Sequence, residues 1–230
     1  MNRILLLSTI IFFTIFSCKK LERVNLSDGN KLSDVDGNIY KIVNIGTQLW
    51  MAENLRTSRF NDNVLINDTN ITKAKWYFPR NSDSLGKIYG KLYNWNSVSP
   101  LLNGNRNVCP NGWHVPTKSD WELLSTFLGG DSVAGSKLKE SGTKHWDSNN
   151  LNSTNSTGFT ALPGIILYSI HPYTKDTLAI SDLNFLGSWW CSTETNSFFV
   201  YNRKLESSSS FFNEQKVSKK NFSFIRCLKD

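Results

Sequence analysis

The clearest hydrophobic rhythm lies between residues 118 and 128. Trp121, Leu124 and Leu128 fall at i, i+3 and i+7, with Leu123 and Phe127 alongside, which predicts an amphipathic helix over 118–128. Pro116 stops what precedes it. Thr117 is a good N-cap with Asp120 three residues on, and Gly129-Gly130 ends the run. A second short helix is expected over 132–140, ending before Gly142. Elsewhere the pattern is of strands. Asp34-Val35-Asp36-Gly37-Asn38 reads as a tight turn ahead of the β-rich run Ile39–Ile45, and Gly46-Thr47-Gln48 as the turn into a second strand over 49–54. Further short strands are expected over 160–162, 189–192, 197–201, 209–212 and 223–228. Residues 57–86, rich in Asn, Asp, Ser and Thr, read as long surface loops. No period of 20–50 residues recurs, so a solenoid or propeller is excluded. The expectation is one α+β domain over 34–230, with helices first and β structure toward the end.

The start of the chain has a different character. Ile4 to Phe16 is an apolar run of 13 residues behind Arg3. That is too short to cross about 30 Å of hydrocarbon as a helix, and it fits the apolar region of a signal peptide. It ends in Ile15-Phe16-Ser17-Cys18, which resembles a bacterial lipobox. The expected organisation is a lipoprotein signal peptide over 1–17, then a lipidated Cys18 and polar tether over 18–33. Acyl chains on Cys18 would be the membrane contact. No Asp follows Cys18 directly, which favours an outer-membrane lipoprotein of the cell envelope, facing either the periplasm or the exterior.

Composition changes this picture little. The 230 residues carry 26 Lys+Arg against 19 Asp+Glu, a net charge of +7. The basic residues are scattered in runs of no more than two and no nucleic-acid motif accompanies them, so nucleic acid is not an expected partner. Cys109, Cys191 and Cys227 remain after Cys18, in a setting where disulfides persist. Three thiols cannot all pair internally, and the residues alone do not choose the pair. No C-x-x-C is present to hold zinc.

Several stretches together resemble a bacterial surface and secreted family, the Fibrobacter succinogenes major paralogous domain. They are Asp36-Gly37-Asn38-Ile39-Tyr40, then Ile45 to Leu55, Tyr89 to Trp95, Cys109-Pro110-Asn111-Gly112-Trp113-His114-Val115-Pro116-Thr117, Gly158 to Gly164, Trp189 to Glu194 and Phe222 to Cys227. The segment from Trp113 to Trp121 is also similar to one in formylglycine-generating enzymes. The resemblance implies a C-type-lectin-like α+β fold: two helices packed on small twisted antiparallel sheets with long loops. A strand over 224–228 would close the sheet beside the N-terminal strand. It further implies a Cys109–Cys227 disulfide, with Cys191 as a spare thiol in place of the family's usual Ser. Ile165 stands where the family has Gly.

Catalytic chemistry is thin. There is no H-E-x-x-H, G-x-S-x-G or phosphate loop. His114, His145 and His171 read as structural or loop residues, and a Cys191–His dyad lacks an orienting third group. Asp34-x-Asp36-Gly37-Asn38 echoes half a calcium loop, but the twelfth position is Ile45, so the expectation is no cofactor, with a structural calcium as an alternative that no complete motif supports. The aromatic residues carry the remaining signal. Trp189 and Trp190 point to opposite faces of a strand, so one is expected on a loop surface. There an indole with Glu194, Asn202 and Arg203 would stack on and hydrogen-bond a sugar. The expected function is therefore a non-enzymatic, lectin-like binding domain for a glycan or surface protein. The alternatives are a formylglycine-generating-type oxidase and a structural coat protein. Asp83-Ser84-Leu85, Asp131-Ser132-Val133 and Asp176-Thr177-Leu178 look like bacterial O-glycosylation acceptors.

Overall fold

Asp34 builds the first hairpin. Its Oδ1 accepts from the amides of Asp36 and Asn38 at 3.0 and 2.9 Å, its Oδ2 accepts from the Tyr40 hydroxyl at 2.5 Å, and Gly37 takes the left-handed conformation at φ 79°. The computed structural model describes residues 31–67, 73–150, 152–164, 167–169, 178–180 and 183–230. Residues 1–30, hence the expected signal peptide, Cys18 and most of the expected tether, lie outside the described residues, as do His171 and Asp176-Thr177.

In chain order the elements are β1 (Lys31–Ser33), β2 (Ile39–Ile45), β3 (Gln48–Met51), β4 (Trp76–Tyr77), α1 (Asp83–Tyr89), β5 (Leu92–Asn94), α2 (Pro100–Asn103), β6 (Trp113–His114), α3 (Lys118–Phe127), α4 (Asp131–Leu138), β7 (Leu167–Ser169), β8 (Leu178–Ile180), β9 (Leu186–Glu194), β10 (Phe199–Glu206), β11 (Asn213–Ser218), β12 (Phe222–Ser223) and β13 (Leu228–Lys229). They form three sheets, ordered β1-β2-β3-β13-β6, β11-β10-β9 and β4-β5-β12-β7-β8. Every strand pairing is antiparallel, so the fold is α+β with few helices and small antiparallel sheets.

The best-patterned helix forms as expected. Thr117 and Asp120 close a capping box at the start of α3, and Gly130 N–H returns to the Ser125 carbonyl at its end. Its buried face is narrower than expected, however. Trp121, Leu124 and Leu128 are buried, while Leu123 and Phe127 are exposed. α4 begins one residue before its expected start and ends two earlier.

Other boundaries need correction. Lys31–Ser33, expected at the end of the tether, form a strand paired with β2. Residues 57–86 are not all loop: Ser82 caps α1. The strand expected over 49–54 stops at Met51, and that over 160–162 is a single bridge between Ala161 and Lys139. Residues 209–212 form no strand. Their backbone cradles α4 instead, through Gly135 N–H to Ser210 O and Phe212 N–H to Asp131 O, both 2.8 Å. The continuous strand expected over 223–228 is split into β12 and β13. Between them Phe224 pairs with β9, while Cys227 and Ile225 accept from Met51 and Leu55.

Two hydrophobic cores result, and β9 separates them. Trp189 packs with Trp50, Trp121, Phe159 and Phe224 on one side, and Trp190 with Tyr93, Trp95, Ile225 and the Cys109–Cys227 disulfide on the other. Among the described residues no helix is long and apolar enough to cross a membrane.

Candidate functional site

The five residues expected to make a sugar surface do not make one. Strand alternation sends the two indoles to opposite faces, but both faces are core: Trp189 and Trp190 are fully buried. Trp189 Nε1 donates to Asn54 Oδ1 at 2.8 Å and Trp190 Nε1 to Tyr93 O at 2.7 Å. Asn202 is fully buried and bonds Ser188, Ser223 and Gln215. Arg203 is buried as well, donating to Asp131 at 2.9 Å and the Phe212 carbonyl at 3.1 Å. Glu194 accepts from Trp95 Nε1 at 3.2 Å and pairs with Lys219 at 2.8 Å. These side chains hold the sandwich around β9 together and present no stacking face.

The half calcium loop is likewise taken up internally. Asp36 accepts from Ser58 N–H and pairs with Arg59, while all that Asp34 offers goes to its own turn and Tyr40. Cys191 is buried and burial pushes its thiol up, which makes it a poor nucleophile. The other two described thiols form the Cys109–Cys227 disulfide with Cα atoms 5.9 Å apart, the pairing implied by the resemblance.

A polar groove of about 390 Å³ lies elsewhere, between the 98–108 segment, the 113–117 segment and the end of β9. Val98, Pro100, Val108 and Val115 give it an apolar floor, and Asn105, Arg106, Asn107, His114, Thr117 and Ser192 a polar wall. Its walls are fixed from behind. Asn103 is fully buried and accepts from Arg106 N–H at 2.9 Å, and Asn107 bridges Cys109 N–H and Trp113 O. The disulfide ties this segment to Cys227, next to β13, whose Leu228 pairs with His114.

His114 is held between two carboxylates, Nδ1 at 2.7 Å from Asp230 and Nε2 at 3.3 Å from Asp120. Both ring nitrogens are turned toward carboxylates, so neither is directed at the Ser192 hydroxyl, as a Ser-His-Asp arrangement requires. Arg106 donates Nη1 to Asn103 O at 2.9 Å and sets Nε against Asp62 at 3.0 Å, and among the described residues Nη2 makes no hydrogen bond. Asn105, in the left-handed conformation at φ 60°, adds an exposed amide, and Ser192 a hydroxyl. This is a hydrogen-bonding surface with neutral and cationic donors over an apolar floor. Sequence reasoning missed it. The one local hint is the turn-rich run Asn103-Gly104-Asn105-Arg106-Asn107, and Ser192 arrives from a distant strand.

A second cavity of about 240 Å³ adjoins it across Val108, between Leu32, Asp34, Thr57 and Asn111. A third of about 150 Å³ is lined by Lys139 and serines of the 207–210 loop.

No curated protein and no solved structure matches the chain. A family model does, over residues 43–229, which spans all the described elements from β3 to β13 and both disulfide cysteines. The chain belongs to the Fibrobacter succinogenes major domain family.

Proposed function

We propose that this protein is an envelope-anchored lipoprotein whose C-type-lectin-like domain binds a glycan in the groove formed by Asn105, Arg106, His114, Thr117 and Ser192. The observation that carries this reading is the pairing of a rigid, disulfide-backed wall with polar groups left over for a ligand. Sugars present hydroxyls around apolar C–H patches, and a cleft with a few placed donors above an apolar floor is complementary to both. Among the described residues no Trp, Tyr or Phe lines the groove. Recognition would therefore rest on hydrogen bonds and on the Val98–Pro100 floor. The anchor is the acylated Cys18, with the outer membrane as the attachment site and the domain in the periplasm or outside the cell.

The thiol chemistry gives no support to the oxidase alternative: two of the three described cysteines are joined and the third is buried. A glycan array probed with the chain from Cys18 onward tests the groove. Binding should appear for a subset of glycans and fall at least tenfold in Arg106→Ala and in Asn105→Ala. An array with no binder, or binding indifferent to both changes, overturns the reading. Intact mass of the protein from its native envelope tests the anchor separately: no acyl mass at Cys18 removes that half.

A further inference from the structure

Exposed apolar side chains and lysines gather at one edge of the molecule, around Trp95. α2 follows the Trp95 turn directly, because Ser99 N–H bonds back to Trp95 O at 3.0 Å, and it projects Leu101 and Leu102 at 89% and 49% exposure. The β9–β10 turn reaches the same place: Trp95 Nε1 donates to Glu194 at its base, and Phe198 at its tip is 57% exposed. The turn after β11 joins them, since Lys219 N–H bonds Phe198 O at 2.9 Å and Lys219 Nζ lies 5.9 Å above the Trp95 ring. Pairing of Phe222 with Asn94 brings Lys220 alongside. On the other flank, Asn94 bonds the backbones of Lys73 and Lys75 at 2.9 and 2.8 Å, and Ser97 the Lys75 carbonyl at 3.2 Å.

One edge thus carries Lys73, Lys75, Lys219 and Lys220 with Leu101, Leu102 and Phe198. Among the described residues Glu194 contacts this edge, and Lys219 pairs with it at 2.8 Å. Lys73, Lys75 and Lys220 are exposed. A soluble polyanion would use the lysines but has no use for leucine and phenylalanine raised on loop tips. A bilayer uses both: anionic headgroups attract the ammonium groups, and the apolar tips enter the headgroup–acyl boundary.

We propose that this edge docks on an anionic lipid surface. The assignment stands on the edge's own geometry and does not require the acyl anchor. Together with such an anchor it would fix which way the groove faces, because Pro100 borders both.

The test uses the chain from Cys18 onward made without acylation, which contains every described element. It should co-sediment with vesicles of phosphatidylglycerol and phosphatidylcholine and not with phosphatidylcholine alone. Changing Lys73, Lys75 and Lys220 to Gln should weaken partition roughly a hundredfold, at about fivefold per lysine. Leu101→Asp, at a position too exposed to threaten the fold, should weaken it about tenfold with an unchanged circular dichroism spectrum. In Leu101→Trp, brominated lipid should quench the added fluorescence. The proposal is overturned by no co-sedimentation, by equal partition into uncharged vesicles, or by binding that ignores Leu101→Asp and is fully competed by dextran sulfate.

Discussion

Replacing Arg226 with Met should destabilise the domain by about 2–4 kcal/mol, although it removes a buried charge with no carboxylate in ion-pair contact. The side chain is fully buried, and burial pulls its pKa below the ordinary arginine range. Nε and Nη2 donate to Asn54 Oδ1 at 3.1 and 2.9 Å, Nη1 donates to Phe159 O, and Nη2 reaches Thr160 O at 3.4 Å. The guanidinium also stacks 4.2 Å from the Phe159 ring. In the variant Asn54 keeps Trp189 as a donor, but the carbonyls of Phe159 and Thr160 lose theirs. Each buried carbonyl left bare costs about 1–3 kcal/mol, and relief of the desolvated charge offsets part of the total. Thr160 adds to the cost. It is β-branched yet sits at φ 52°, a conformation that persists only where its surroundings impose it. Urea denaturation read by tryptophan fluorescence gives the midpoint shift at constant slope. Hydrogen exchange should report the largest loss of protection over 154–160. Arg226→Lys should not rescue, because one ammonium cannot span Asn54 and both carbonyls. A variant within about 0.5 kcal/mol of wild type, a difference too small for any named mechanism, would refute the reasoning.

Three further outcomes follow from the same contacts. Removing the disulfide by Cys109→Ala with Cys227→Ala frees a loop of 118 residues. It should lower stability by up to about 5 kcal/mol on the chain-entropy model; an unchanged urea midpoint would contradict this. Stability should rise between about pH 8 and 10. Burial lowers Lys139 from 10.5 to about 8, so in that window the unfolded chain holds a proton that the native state has released. The Lys139 share of the gain is up to about 2–3 kcal/mol, and that share should be lost in Lys139→Met. Above that window it should reverse, because burial raises the Tyr40 and Tyr93 phenols and the unfolded chain then loses protons first. Finally, Gly135→Ala would put a methyl 2.5 Å from Ser210 O and 2.9 Å from Phe211 O, both backbone. It should cost about 1–3 kcal/mol in thermal or urea unfolding despite the better helix propensity of Ala, and a stabilised variant would show that the 209–212 segment yields freely.

Local signals were legible and relayed ones were not. α3 was readable because cap, stripe and terminator all lie within fourteen residues, 117–130. β2 was readable because its turn is built by its own Asp34. The alternation of Trp189 and Trp190 was also read correctly, yet its consequence was not. Whether an outward face meets solvent depends on what covers it, and the cover for Trp190 comes from Tyr93, Trp95 and Ile225, far away in the chain. The groove had no periodic signature at all. Its polar wall comes from a turn-rich loop whose Asn and Arg residues look like ordinary surface until Asn103 and Asn107 are seen bonding it in place.

The same reasoning accounts for how so irregular a chain stays ordered. Short strands satisfy few backbone groups, so long connections must find partners for their carbonyls elsewhere. This protein uses buried cations as multi-donor clasps. Lys139 Nζ donates to the carbonyls of Glu206, Ser207 and Ser209 at 2.8, 2.7 and 2.9 Å, which matches the three N–H groups of an ammonium and fastens the serine loop to the end of α4. Arg226 performs the equivalent task for the 159–160 turn. Lys91 links Ser58 at 2.6 Å to the face of Trp76 at 3.8 Å, joining a loop to β4 through a hydrogen bond and a ring. Each clasp leaves a charge inside the molecule with no carboxylate in ion-pair contact among the described residues, and burial lowers the pKa of all three. The desolvation cost is offset by hydrogen bonds to main-chain carbonyls for Lys139, to the Phe159 and Thr160 carbonyls and Asn54 Oδ1 for Arg226, and to Ser58 Oγ for Lys91, so Asn54 and Ser58 are side chains the clasps require while the residues offering only carbonyls can vary. The groove beside Arg106 is framed by a related contact, a cation clasping the Asn103 carbonyl, here with Asp62 as its carboxylate partner.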